Sequence, residues 1–186
     1  MINYQNIQDS IEYYEKNRFT RIESPWSVSE KVNNITAPTD GRINFQLKHN
    51  NKCLVASGEQ SFLYLYLKDF IPKGQFQTTT PCFRFESFDF LHTKYFLKNE
   101  LIKTDVVNEF ELEKIVDICL KFYQEYIPLA DVVKTDVGFD IEINGIELGS
   151  YGIRDCDFLT WIYATGCAEP RLSSLTKLYG VSQKRS

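Results

Sequence analysis

Histidine is nearly absent: His49 and His92 are the two in 186 residues. So little imidazole leaves few ligands for a metal centre. The five cysteines, Cys53, Cys82, Cys119, Cys156 and Cys167, include no Cys-x-x-Cys pair, which excludes zinc-ribbon and dithiol redox motifs. Their odd number fits reduced, buried thiols, with a zinc site drawn from distant Cys, His and Glu as the alternative. There is no run of about 18 apolar residues, so no spanning helix is expected. The opening Met1-Ile2-Asn3-Tyr4-Gln5 has no basic stretch leading into an apolar one, and the expectation is a soluble, cytoplasmic protein without membrane contact. Basic residues do not exceed acidic ones, 21 against 25. Broad wrapping of nucleic acid is therefore excluded, because it needs a positive field. Internal repeats and low-complexity segments are also missing.

What is present is an ordinary core-forming composition, 43% hydrophobic, at a length that predicts one domain over residues 1–186. Residues 7–18 place Ile7, Ile11 and Tyr14 at helical spacing. A short strand over 19–25 ends at Pro25, and a turn-rich connection follows. Residues 43–48 and 52–56 read as a hairpin with His49-Asn50-Asn51 at its tip. Residues 59–70 read as a helix ended by Pro72 and Gly74. Residues 76–86 and 92–103 are rich in aromatic and β-branched side chains and predict two long antiparallel strands. Asp105 is the expected N-cap of a helix carrying the stripe Leu112, Ile115, Val116, Cys119, Phe122, Tyr123 and Tyr126. Three short strands, 132–137, 139–143 and 146–151, break at Gly138 and Asn144-Gly145, and a last helix is expected over about 169–179. This order predicts an α+β fold with an antiparallel sheet flanked by helices.

Four segments carry chemistry, each with a plain structural alternative. In Cys82-Phe83-Arg84-Phe85-Glu86, followed by His92 to Glu100, an Arg on one strand can clamp a phosphate while an aromatic on the next stacks on a base. The alternative is an exposed Arg–Glu pair across a hairpin. Ser57-Gly58-Glu59 offers a carboxylate for an ammonium group, or simply a helix cap with an acidic first turn. Glu147, in the segment 141–150, reads on its own as a strand-end Glu in solvent. Thr165-Gly166-Cys167-Ala168-Glu169-Pro170-Arg171-Leu172 places an Arg at a helix start, where Pro is well suited.

Taken in order, these segments resemble the catalytic core of class II aminoacyl-tRNA synthetases. Residues 82–100 are similar to the second signature motif, residues 165–172 to the third, and residues 19–25 to the first, proline-ended motif. Ser57-Gly58-Glu59 resembles the Thr-x-Glu loop of seryl, threonyl and prolyl enzymes. Phe96-x-Lys98-x-Glu100 and Gly166-x-Ala168-x-x-Arg171 look like the seryl branch. The resemblance covers roughly residues 5–180 and implies a class II synthetase-like catalytic fold. It implies Arg84, Glu86 and Arg171 as catalytic residues, with Arg84 on the α-phosphate and Arg171 on the γ-phosphate of ATP. Phe96 would lie under adenine and Glu147 would hold Mg2+. Ser57, Glu59 and Glu100 would bind the amino acid, and a homodimer is expected.

The Glu86-to-His92 loop is shorter than in many members of that family, and Glu169-Pro170-Arg171 departs from its more usual glycine-rich third motif. No anticodon-binding domain or tRNA-gripping arm is expected beside the core. The activity implied is ATP-dependent aminoacyl adenylate formation, then ligation to an acceptor other than ordinary full-length tRNA: a carrier protein, a peptide, a small molecule or a nucleobase. Two alternatives stand beside it, a non-catalytic paralogue that senses an amino acid or regulates a partner, and a free-standing tRNA-charging enzyme. The amino acid is not legible; Asp155, Cys156 and Asp157 lie near where a selectivity segment would fall, or are solvated loop residues.

Overall fold

Side chains alternating in direction along β6 (Tyr95–Lys103) divide the molecule into a packed side and an open one. The computed structural model describes residues 1–36, 44–85 and 93–180. Before β6 run α1 (Tyr4–Lys16), β1 (Thr20–Arg21), β2 (Ser27–Ser29), α2 (Glu30–Asn33), β3 (Gln46–Leu47), β4 (Lys52–Leu54), α3 (Gly58–Leu67) and β5 (Gln75–Phe83). After it come α4 (Glu109–Gln124), β7 (Asp131–Thr135), β8 (Gly138–Ile143), β9 (Ile146–Cys156), β10 (Leu159–Glu169) and α5 (Arg171–Tyr179). Seven strands form one sheet in the order β1-β5-β6-β10-β9-β8-β7, and β2-β4-β3 form a small second sheet. Every pairing is antiparallel except β1 with β5, which is parallel. The expected α+β architecture is therefore present with one parallel edge.

On the packed side, Ile7, Ile11 and Tyr14 of α1, the α4 stripe, and Leu172 and Leu175 of α5 bury against Leu101, Ile162 and Ala164. On the other side, Val32 of α2 and Phe62 and Leu63 of α3 bury against Phe76, Ile102 and Trp161. That second layer covers one end of the sheet. The uncovered remainder, where Phe96, Lys98 and Thr165 project, is the floor of a cleft.

Several boundaries differ from expectation. Asn108, not Asp105, caps α4: its side chain accepts the Glu111 N–H at 2.9 Å. Asp105 belongs to the turn after β6, where it accepts the Val106 N–H and pairs with Lys103 at 2.9 Å. Strand β9 runs on to Cys156, and β10 is a full strand at the centre of the sheet, with Glu169 its last residue rather than the first of a helix. The hairpin at residues 46–54 is present but shorter. All five cysteines are free thiols, four of them buried.

The register of β10 against β6 slips by one residue at Gly166. A bulge leaves backbone carbonyls without ladder partners. Here two buried tyrosines supply donors: Tyr14 Oη donates to the Gly166 carbonyl and Tyr151 Oη to that of Thr165, both at 2.9 Å. A Cβ at position 166 would lie 2.8 Å from the Tyr14 ring, so only glycine lets α1 approach this closely.

Candidate active site

Strand register sets the order of groups along the cleft. Phe96, Lys98 and Glu100 follow one another on the open face of β6, with Ala168 opposite Lys98 and Thr165 opposite Glu100 on β10. The N-terminus of α3 descends beside Glu100, and a Cβ on Gly58 would lie 3.3 Å from a Glu100 oxygen. Two adjoining hollows share Arg84, Lys98, Glu147 and Thr165. The larger, about 280 Å³, also meets Ser57, Glu59, Glu100 and Arg154. The smaller meets Phe96 and Arg171. The fold thus brings together every expected site residue that it describes; Glu86 lies outside the described residues.

Glu59, Glu100 and Glu147 each pair with a cation. Glu100 is buried, 2.9 Å from Lys98 Nζ, and Ser57 Oγ lies 2.7 Å from both of its oxygens. Burial alone would raise its pKa, but the Lys98 ammonium and the two hydrogen bonds outweigh that and hold it below the ordinary value. Ser57 also accepts the Glu59 N–H at 3.3 Å, so helix capping and cleft lining are both realised by one hydroxyl. Glu59, 3% exposed, accepts from Trp161 Nε1 at 2.6 Å and pairs with Arg154. Burial is the larger influence here, only partly offset by Arg154, and the pKa rises from 4.5 to about 7.

The sign of that shift gives a measurable pH dependence. Below about pH 4.5 the Glu59 carboxyl is protonated folded and unfolded alike, so its burial carries no charge penalty. As pH rises to about 7 the unfolded chain ionises first, and the folded state loses relative stability. Wild type should lose about 3 kcal/mol against Glu59→Gln across that window. Urea unfolding of both proteins at pH 5 and pH 8 measures the difference, and a constant gap would overturn the assignment.

At the other end of the cleft the Arg84 guanidinium lies 5.0 Å from the centre of the Phe96 ring, and its Nε donates to the Ala56 carbonyl at 3.1 Å. A base stacking on that same ring face displaces the guanidinium. Arg171 donates to Glu147 at 3.0 Å, so the residues expected at the γ-phosphate and at Mg2+ hold each other. Among the described residues no three acidic, cysteine or histidine side chains cluster as a metal site. Mg2+ beside a nucleotide needs only one or two carboxylates, with phosphates and water completing its shell. The half-exposed Glu147 carboxylate fits that role if Arg171 releases it, at little cost for a partly solvated pair.

Arg154, Trp161 and Tyr163 were not expected in the site, and Lys98 and Thr165 only as parts of motifs. Lys98 could have been found from its position two residues before Glu100, which puts both on one strand face. Arg154 gave no such signal, because it meets Glu59 from 95 residues away. Asp155 and Asp157 are exposed near the β9–β10 turn, outside the cleft lining.

No family model matches the chain, and no curated protein matches it in sequence. Solved structures do match in fold. The pyrrolysyl-tRNA synthetase of Desulfitobacterium hafniense superposes with TM-score 0.73 at 16% identity, over 95% of this chain and 70% of that one. The seryl-tRNA synthetase of Pyrococcus horikoshii, complexed with ATP, gives 0.72 at 17% identity, over 91% of this chain and 48% of that one. The prolyl-tRNA synthetase of Cryptosporidium parvum, complexed with halofuginone and AMPPNP, gives 0.65 at 13%, over 92% and 45%. This chain spans about half the length of the seryl and prolyl enzymes. Likeness at such identities speaks for architecture alone, and on it this chain has the fold of a class II aminoacyl-tRNA synthetase catalytic domain.

Proposed function

We propose that the chain, as a single catalytic unit, activates an amino acid with ATP and passes it to an acceptor other than ordinary full-length tRNA. The observation that carries this reading is the meeting of Arg84, Phe96, Glu147 and Arg171 with Ser57, Glu59 and Glu100 along one cleft. The likeness to a seryl enzyme complexed with ATP supports it. An amino-acid carboxylate oxygen attacks the α-phosphorus, the bond to the bridging oxygen of the β-phosphate breaks, and pyrophosphate leaves an aminoacyl adenylate. No general base is required, since the carboxylate is ionised at neutral pH. The protein's part is positioning and charge neutralisation. Phe96 carries adenine, Arg84 meets the α-phosphate, Arg171 the γ-phosphate, and Glu59 and Glu100 face the ammonium group. Mg2+ held at Glu147 with the phosphates would neutralise their charge. The acidic balance of the chain, formal net charge −4, supports an acceptor that brings no long polyanion.

A second reading, a non-catalytic paralogue that senses an amino acid, is favoured by the closed Glu147–Arg171 pair. Pyrophosphate exchange into ATP, run with each of the twenty amino acids, magnesium and no tRNA, separates the two. One or a few amino acids should support exchange. Silence from folded protein would move the assignment to the sensor.

A further inference from the structure

Arg154 closes the far end of the cleft and has hydrogen-bonding capacity that its protein contacts leave unused. Along β6, Phe96 and Glu100 stand about 13 Å apart, and the row of Ile102 lies about 7 Å further on. In that row Tyr163 sits between Ile102 and Gly152. A Cβ on Gly152 would lie 2.7 Å from the Tyr163 hydroxyl, so the glycine makes room for the phenol ring. Over that ring lies the Arg154 guanidinium, 4.2 Å from its centre. NH1 is tethered to Glu59, and Glu59 is fixed in turn by Trp161. The guanidinium plane is therefore held by a stack and an ion pair, yet the side chain is 41% exposed. Among the described residues NH1 is its one nitrogen with a hydrogen-bond acceptor. A guanidinium carries five N–H donors in a rigid fork suited to paired or single carbonyl oxygens.

We propose that Arg154, stacked on Tyr163 and tethered by Glu59, receives the side chain of the amino acid, which ends in a carboxylate or carboxamide. This rests on the amino-acid reading of the cleft: with the nucleotide over Phe96 and the ammonium between Glu59 and Glu100, the side chain points along the strand toward Tyr163. An oxygen acceptor there completes the guanidinium fork. An aliphatic end would cover N–H groups without pairing them, and a cationic end would meet like charge.

Equilibrium binding of aspartate, glutamate, asparagine, glutamine, leucine and lysine to wild type, Arg154→Lys and Arg154→Gln tests the proposal, with pyrophosphate exchange on the same set. Arg154→Lys keeps a cation beside the buried Glu59 and guards against a folding defect, which circular dichroism monitors. At least one acidic or carboxamide amino acid should bind, with Kd rising about tenfold or more in both variants while the Kd for ATP stays within about twofold. Which pair binds separates carboxylate from carboxamide. Binding of leucine or lysine equal to the best of these, an unchanged Kd in both variants, or no amino acid bound by folded wild type would overturn it. Arg154-dependent binding without exchange would support this inference while counting against activation.

Discussion

Arg84→Ala is expected to lower amino-acid-dependent pyrophosphate exchange by about two orders of magnitude or more, the scale seen when one preorganised donor to a developing charge is removed. The residue follows the end of β5, where its N–H pairs with the Lys94 carbonyl and its Nε with the Ala56 carbonyl. Backbone on two sides thus fixes the stem while the guanidinium overhangs Phe96. Only the far end of the side chain has to move for a phosphate to take the place of the ring. Arg84→Lys should recover a small part of the loss, since an ammonium supplies charge without the planar fork. Wild-type exchange rates in Arg84→Ala would sink the phosphate assignment. Melting curves of the same protein would show whether the loss is catalytic.

The second large effect is on stability. Glu169 is fully buried, and its carboxylate accepts from Asn6 Nδ2 at 2.7 Å, from the Asn3 N–H at 3.1 Å and from both the N–H and hydroxyl of Ser173. It joins the start of α1 to the β10–α5 corner, two residues before Arg171. Alanine there strands several buried donors, each worth about 1–3 kcal/mol when unpaired. Partial relaxation brings the expected loss to about 3 kcal/mol, or roughly 6–12 °C in Tm for a chain of this size. Glu169→Gln keeps one acceptor oxygen and should lose about half as much. An unchanged Tm for Glu169→Ala would contradict the network. The departure from a glycine-rich third motif thus has a structural use, which lies on the packed side of the sheet.

Legibility in the sequence followed distance along the chain and burial. Strands β5 and β6 were recognisable because aromatic and β-branched residues mark them and a short loop joins them. The α4 stripe was recognisable because its other face is polar. Ser57 and Glu59 were legible through their resemblance to the Thr-x-Glu loop, at a place where a helix start explains them as well. Strand β10 is not legible as a continuous strand, because residues 161–169 are buried on both faces and show no alternation. The pairing of Asn6 with Glu169 spans 163 residues, and that of Arg154 with Glu59 spans 95. Such contacts are made by topology, and neither partner's neighbours announce them. The motif residues were legible as a set, whereas the pairing of Glu147 with Arg171, 24 residues apart, needed coordinates.

The extra residue at Gly166 also decides which chemistry faces which way. Side chains on a strand alternate, so one added residue inverts the parity of everything after it. Before the bulge Tyr163 and Thr165 line the cleft; after it Ala168 does, while Cys167 enters the core and the Glu169 carboxylate turns toward Asn6. Were Gly166 instead to pair with Asn99 in a regular ladder, those roles would be exchanged, sending the Glu169 carboxylate toward the proposed phosphate end and the Ala168 methyl toward Asn6. A negative charge would then stand at the proposed nucleotide end of the cleft, and the α1 anchor would vanish. The bulge at this glycine keeps repulsion out of the proposed nucleotide site and cohesion inside the core.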